Sequence, residues 1–79
     1  MNVKEIVEAA MAVRGESQKS LAEKVTGNEK ATNSVVSEAL RRKNGMRIDK
    51  FIAFMDAMDY EIVIRDPKTK QEWKLVKDE

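Results

Sequence analysis

The sequence contains neither cysteine nor histidine. Without cysteine there is no disulfide bond and no thiolate metal site, and without histidine the commonest acid–base group and metal ligand at neutral pH is missing. A Gly-rich phosphate-binding loop is also missing, and the carboxylates stand mainly beside Lys or Arg. We therefore expect a protein that is not an enzyme and that uses no metal or cofactor.

Long apolar segments are absent as well. No run approaches the ~20 apolar residues of a membrane span, and the N-terminus has no signal-peptide pattern. The expected protein is therefore soluble and cytoplasmic, with no membrane partner. Its 79 residues make one domain near the lower size limit for a self-sufficient core, so compactness or a partner subunit must stabilise it.

The net charge of +1 conceals an uneven distribution of charge along the chain. Residues 14–50 carry nine basic and five acidic side chains, whereas residues 51–79 carry five basic and seven acidic ones. Positive charge is thus concentrated in the middle of the chain, as nucleic-acid binding requires. With 37% charged residues, however, some clustering is also expected by chance.

The basic region from Ser17 to Lys43 predicts two short helices. Ser17 is a suitable N-cap for the first, and a polar turn containing Gly27 follows it. Thr32 or Asn33 caps the second, which ends in three consecutive cations. The inward-facing residues of the two helices are Leu21, Ala22, Val25, Val36, Ala39 and Leu40. Two short helices, a tight turn and a cationic end outline a helix-turn-helix.

The order of these parts resembles the lambda-repressor/Cro-like (XRE) helix-turn-helix family. The likeness covers roughly residues 2–66, including the run from Gly45 to Phe51 and the passage from Met55 into Asp66. It implies a four-helix domain whose last helix leads into a β segment. The turn between the central helices is a few residues longer than the family's usual turn, which leaves the register of the second helix open by one residue.

A regular apolar stripe predicts a scaffold helix on each side of the central pair. The first spans Asn2 to Val13 with Asn2 as its cap, and Gly15 ends it with Arg14 near its last carbonyls. The fourth spans Arg47 to Met58 with Ile48, Phe51, Ile52, Met55 and Met58 on its inner side. Phe54 falls off this stripe, so it either caps the core edge or faces another subunit. The expected core comprises Ile6, Val7, Ala10, Met11, Leu21, Val25, Val36, Leu40, Phe51, Ile52 and Met55.

After Asp59 the apolar period changes to two, which predicts a β-hairpin turning at residues 66–70. Its apolar face comprises Tyr60, Ile62, Ile64, Trp73 and Leu75. This face either packs on the helices of its own chain or pairs with a second subunit, and we predict a dimer interface there. The predicted fold is therefore mainly α: a Cro/repressor-like helix-turn-helix over residues 1–59 and a hairpin over residues 60–79, in one compact domain.

With Val36 buried, the second central helix presents short polar groups and one long cation to solvent. The candidate base-reading residues are Thr32, Asn33, Ser34, Ser37, Glu38 and Arg41. An ordinary solvated helix face is the alternative. The candidate phosphate contacts are Gln18, Lys19, Arg42, Lys43 and Arg47. Gln18 is included because the resemblance implies a phosphate contact at its position.

The functional prediction is a homodimeric, sequence-specific regulator of transcription that binds double-stranded DNA. We expect a repressor of phage or mobile-element type that occupies a pseudo-palindromic operator. One alternative is the antitoxin of a toxin–antitoxin pair. The other is a helix-turn-helix module used for protein contact, such as a phage inhibitor of host defence.

Overall fold

A computed structural model describes residues 1–77 of the chain. These residues form four helices followed by a two-stranded antiparallel hairpin, so the predicted coarse fold class is confirmed. The elements in chain order are α1 Val3–Arg14, α2 Gln18–Thr26, α3 Ser34–Leu40, α4 Ile48–Ala57, β1 Ile62–Arg65 and β2 Glu72–Leu75. The predicted hairpin region extended to residue 79, and its last two residues lie outside the described part.

The ends of α1 and α2 follow the predicted signals. The Asn2 side chain accepts a hydrogen bond from the Glu5 backbone N–H at 2.8 Å, which caps α1. Ser17 caps α2 in a reciprocal capping box with Ser20. Gly15 and Gly27 end the two helices with φ of +67° and +68°, a left-handed conformation that side chains other than glycine rarely adopt. Asn33 occupies the N-cap position of α3, one of the two residues predicted there.

The core lies where the four helices meet and largely matches the prediction. Val7, Leu21 and Val36 are fully buried, and Ala10, Met11, Leu40 and Met55 nearly so. Ile6, Val25 and Phe51 are partly buried against them. Val36 is completely buried, and it is the residue of α3 that the prediction placed inward. Ala22, Ala39 and Met58, which the prediction also placed on inward faces, lie in the core as well. Ala31 and Phe54 lie there too, and the prediction did not place them in the core.

Helix α4 is rotated relative to the prediction. Phe54, expected at the core edge or facing another subunit, is fully buried, and both expectations are wrong. Ile48, expected inside, is 63% exposed, and Ile52 is half-buried outside the core cluster. The stripe that packs on the core is Phe51, Phe54, Met55 and Met58, with the 3- and 4-residue spacing of one helix face. Apolar residues cover both sides of α4, so periodicity alone did not identify the buried side.

The hairpin has the predicted face but only half of it packs on the helices. Ile62 pairs with Leu75 and Ile64 with Trp73, which brings these four side chains to one face. The Ile62–Leu75 pair is half-buried, and Ile62 packs against the helical core. The outer pair remains open, with Ile64 55% and Trp73 51% exposed. The inner half of this face therefore packs on the helices of its own chain, which is one of the two predicted alternatives. The outer pair is exposed, and its pairing with a second subunit stays a prediction.

Tyr60 joins the hairpin to the helices and lies just before β1, not within it. Its hydroxyl donates to the Ala10 carbonyl of α1 at 3.3 Å, and the Arg14 guanidinium lies 4.2 Å from its ring centroid. Arg14 lies in the last turn of α1, near its last carbonyls as predicted. Its Nε donates at 2.9 Å to the carbonyl of Met58, the C-cap of α4. These contacts tie the end of α1 to the point where the hairpin begins.

Candidate nucleic-acid interface

Helix α3 offers a small, polar exposed surface opposite its buried Val36. Thr32 and Asn33 are exposed just before the helix, and the Thr32 and Ser34 hydroxyls lie 2.6 Å apart. Within residues 1–77 the Asn33 side chain makes no capping bond, because its backbone is already helical (φ −64°, ψ −13°). Its amide is therefore available to a ligand. Small side chains here allow the helix backbone to approach a surface closely.

A shallow cleft joins the start of α2 to the start of α3. This α2–α3 cleft is lined by Ser17, Gln18, Lys19, Thr32 and Asn33. It thus brings two of the predicted phosphate contacts beside two of the predicted base-reading residues. Gln18 is the first residue of α2, which lets a polar side chain at the helix start reach a ligand held against α3.

The long turn between α2 and α3 is anchored from both sides. Ala31 is buried in the core, and the Lys19 ammonium donates to the Ala31 carbonyl at 3.2 Å. Lys19 also forms an ion pair with Glu23 at 3.0 Å. Part of its charge is therefore already neutralised, and its clearest structural effect is to hold the turn that presents Thr32 and Asn33.

A second cleft lies between α3 and the start of α4. This α3–α4 cleft is lined by Val35, Glu38, Ala39, Arg42, Arg47 and Lys50. Three exposed cations surround one exposed acid there. Arg47 lies 3.4 Å from the Asp49 carboxylate, an exposed pair that water and salt weaken. The cleft therefore keeps a net positive charge.

The remaining predicted residues lie in the middle of α3 and at its end. Ser37 is half-buried, and its hydroxyl donates to the Ser34 carbonyl at 3.4 Å. Arg41 is the C-cap residue, and its Nε donates to the Ser37 carbonyl at 3.3 Å. Neither lines the two clefts. Arg41, Arg42 and Lys43 are exposed and form no ion pair with any residue that the structure describes.

The carboxylate of Glu16, directly before the α2 cap, has a perturbed pKa. Hydrogen bonds from Lys24, above all, and from Ser20 hold the pKa of Glu16 below its ordinary value. Glu16 thereby links the residue before the α2 cap to the middle of that helix. In the hairpin turn, backbone N–H groups of Lys68 and Thr69 lower the pKa of Asp66 in the same way.

Two cations near α3 were not among the predicted contacts. Lys50 lines the α3–α4 cleft, and Lys4 lies near Arg42 and Lys43 at the start of α1. Lys50 could have been predicted from the sequence, because it belongs to the basic region of residues 14–50. The sequence did not point to Lys4, since it is separated from that region along the chain and lies on the first helix, which has no excess of positive charge.

Within residues 1–77, no three acidic side chains come together in a way that could hold a metal ion. None of the helices in this range combines the length and the apolar character needed to cross a bilayer. No model of a known protein family, no curated protein and no solved structure matches the chain. The candidate interface therefore rests on its own geometry.

Proposed function

We propose that the chain is a sequence-specific DNA-binding regulator of transcription with a Cro/repressor-like fold. The observation that carries the proposal is a small polar surface on α3 that adjoins two clefts, the α2–α3 cleft and the α3–α4 cleft, each lined by at least one cation. A reading helix needs this arrangement, because base edges are read by the helix while the phosphates on either side fix its position.

The side chains around α3 suit the major groove. The free amide of Asn33 can bond the N6 and N7 atoms of an adenine, and Arg41 can reach a guanine or a phosphate. Glu38 can accept a hydrogen bond from the N4 amine of a cytosine. Thr32, Ser34 and Ser37 are short, although the half-burial of Ser37 makes it a smaller contributor than an exposed serine. Phosphate contacts come from Gln18, Lys19, Arg42, Lys43 and Arg47.

The proposed regulator is a homodimer that uses the outer half of the hairpin face. A seven-residue reading helix covers one half-site, so two copies related by a two-fold axis are needed for a pseudo-palindromic operator. Ile64 and Trp73 supply an exposed apolar pair on a hairpin with unpaired outer edges. Tyr60, Ile62 and Leu75 support this surface from the side of the helices. Operator occupancy would block polymerase, the action of a phage-type repressor.

Selection of bound duplexes from a random library tests DNA binding directly. Asn33→Ala should then relax preference at particular base pairs by about 1–3 kcal/mol if its contact is bidentate. Arg42→Ala should weaken binding to all sequences and make the salt dependence shallower by about one unit. Lys68→Ala in the hairpin turn is the matched control, and it should change neither property. Equal losses for selected and random DNA in the Asn33 variant would contradict base reading by α3.

Two charge insertions on neighbouring residues of β1 test the dimer. Ile64 and Val63 are similarly exposed, at 55% and 46%, but successive strand residues point to opposite faces. Ile64→Glu should therefore give a folded monomer by light scattering, whereas Val63→Glu should remain dimeric. Dissociation of both variants, or of neither, would rule out this face as the interface. A monomeric wild-type chain would instead favour the two alternatives, an antitoxin or a protein-contact module, in which the same face binds another protein.

A further inference from the structure

A third cleft lies between the start of α1 and the end of α3, and every charged side chain in its lining is positive. Lys4, Arg42 and Lys43 line this α1–α3 cleft, and its apolar walls include Val3, Leu40 and Met46. No acidic side chain contributes to its lining among the described residues. The α3–α4 cleft, by contrast, contains Glu38. Cations beside apolar walls suit a sugar–phosphate unit. The ammonium and guanidinium groups can bind the phosphate while the sugar packs against the apolar side chains.

The α1–α3 cleft is continuous with the proposed DNA interface. Arg42 and Ala39 line both this cleft and the α3–α4 cleft, so one passes into the other around the end of α3. The two joined clefts together carry a band of five cations, Lys50, Arg47, Arg42, Lys43 and Lys4, in which Arg42 belongs to both clefts. An isolated anion needs one or two of these groups, whereas a band of five matches a polyanion with regularly spaced charges.

Lys4 is in an unfavourable position for its own helix. It lies in the first turn of α1, where the free backbone N–H groups make a positive charge mildly destabilising. Its ammonium forms no ion pair or hydrogen bond with any residue in the described range 1–77, and the residue is exposed. Neither helix stability nor an internal contact therefore accounts for this charge, whereas an anionic ligand does.

We propose that Lys4, together with Arg42 and Lys43, binds a DNA backbone phosphate beyond the base pairs read by α3. The inference rests on the proposed DNA-binding function and extends its footprint to the first helix. One strand would pass the end of α3 and continue along the start of α1. Lys4 is then a phosphate contact that contributes affinity and salt dependence but no base preference.

The test compares three variants on the duplex obtained by selection: Lys4→Gln, Lys4→Arg and Lys68→Gln. Lys4→Gln removes the charge, and the loss of one phosphate contact should lower the salt slope by about 0.9. The ratio of wild-type to Lys4→Gln affinity should then fall about 3.5-fold as the salt concentration rises from about 50 to 200 mM. Lys4→Arg and Lys68→Gln should keep the wild-type slope. Removing the charge should not unfold the chain, because it relieves the unfavourable position in α1.

Phosphate ethylation on the same duplex locates the contact. One modified phosphate outside the selected base pairs should interfere with wild-type binding and cease to interfere with the Lys4→Gln variant. A wild-type salt slope in Lys4→Gln, or an equal flattening in Lys68→Gln, would overturn the inference. If Asn33→Ala still relaxes base preference in that case, DNA binding by α3 survives and the extended footprint alone is refuted. A wild-type chain with no salt-dependent duplex binding would overturn both.

Discussion

Replacing Phe54 by Ala tests the orientation of α4, on which the position of the α3–α4 cleft depends. Phe54 is completely buried in the core cluster, and α4 begins directly after Arg47. Truncation of a buried phenylalanine removes its transfer free energy and leaves a cavity, which together cost about 3–5 kcal/mol. A 79-residue domain has a total stability of about 4–12 kcal/mol at ordinary values per residue. The substitution should therefore remove between about a quarter and all of this stability.

Ile48→Ala on the same helix is the matched control. Ile48 is 63% exposed, so about a third of its surface is buried, and full burial of an isoleucine stabilises by about 1.5–3 kcal/mol. The expected loss is therefore about 0.5–1 kcal/mol, several times smaller than at Phe54. Urea unfolding followed by far-UV circular dichroism measures both losses. Equal losses, or a larger loss at Ile48, would refute the orientation of α4 and restore the stripe expected from periodicity.

Three further substitutions test other parts of the structure. Leu40→Ala should cost about 2–5 kcal/mol, since Leu40 is buried at the end of α3, and a thermal melt within a few degrees of the wild type would contradict this. Tyr60→Phe removes the 3.3 Å hydrogen bond to Ala10 and should cost about 0.5–1.5 kcal/mol in urea unfolding, with unchanged unfolding as the contrary result. The depressed pKa of Glu16 gives stability that is complete above its ordinary value of 4.5 and is lost as the pH falls through the lower folded value. Glu16→Gln should therefore lose less stability on acidification than the wild type, and parallel pH profiles would contradict the role of this carboxylate.

The helix ends were predictable from the sequence because their signals are local. Asn2 and Ser17 stand where a cap must accept a backbone hydrogen bond, and Gly15 and Gly27 stand where the chain must adopt a positive φ. These requirements involve residues three or four positions apart, so no tertiary contact has to be known. The strand register follows from a similar rule, because alternating apolar residues across a short turn can pair face to face in few ways.

The buried side of α4 was not predictable for a physical reason. Ile48 and Ile52 lie on one side of this helix and Phe54 on another, so an apolar stripe can be drawn along either. Which side is buried depends on the shape of the surface formed by the other helices and on the hairpin, and neither is encoded locally. The same applies to the α1–α3 cleft, where Lys4 meets Arg42 through tertiary packing alone.

The joint between the helices and the hairpin connects the proposed reading helix to the proposed dimer interface. In a two-fold dimer, the reading helices must lie ~34–36 Å apart to enter successive major grooves on one face of the DNA. If the outer hairpin pair forms the interface, this separation depends on the angle at which the hairpin leaves the helical body. Tyr60 and Arg14 brace this joint, because the Tyr60 hydroxyl bonds the Ala10 carbonyl of α1 and Arg14 bonds the C-cap carbonyl of α4 while its guanidinium lies over the tyrosine ring. In the proposed dimer, residues far from α3 would therefore influence which half-site spacing can be occupied, and a change at this joint would alter operator choice without touching a base contact.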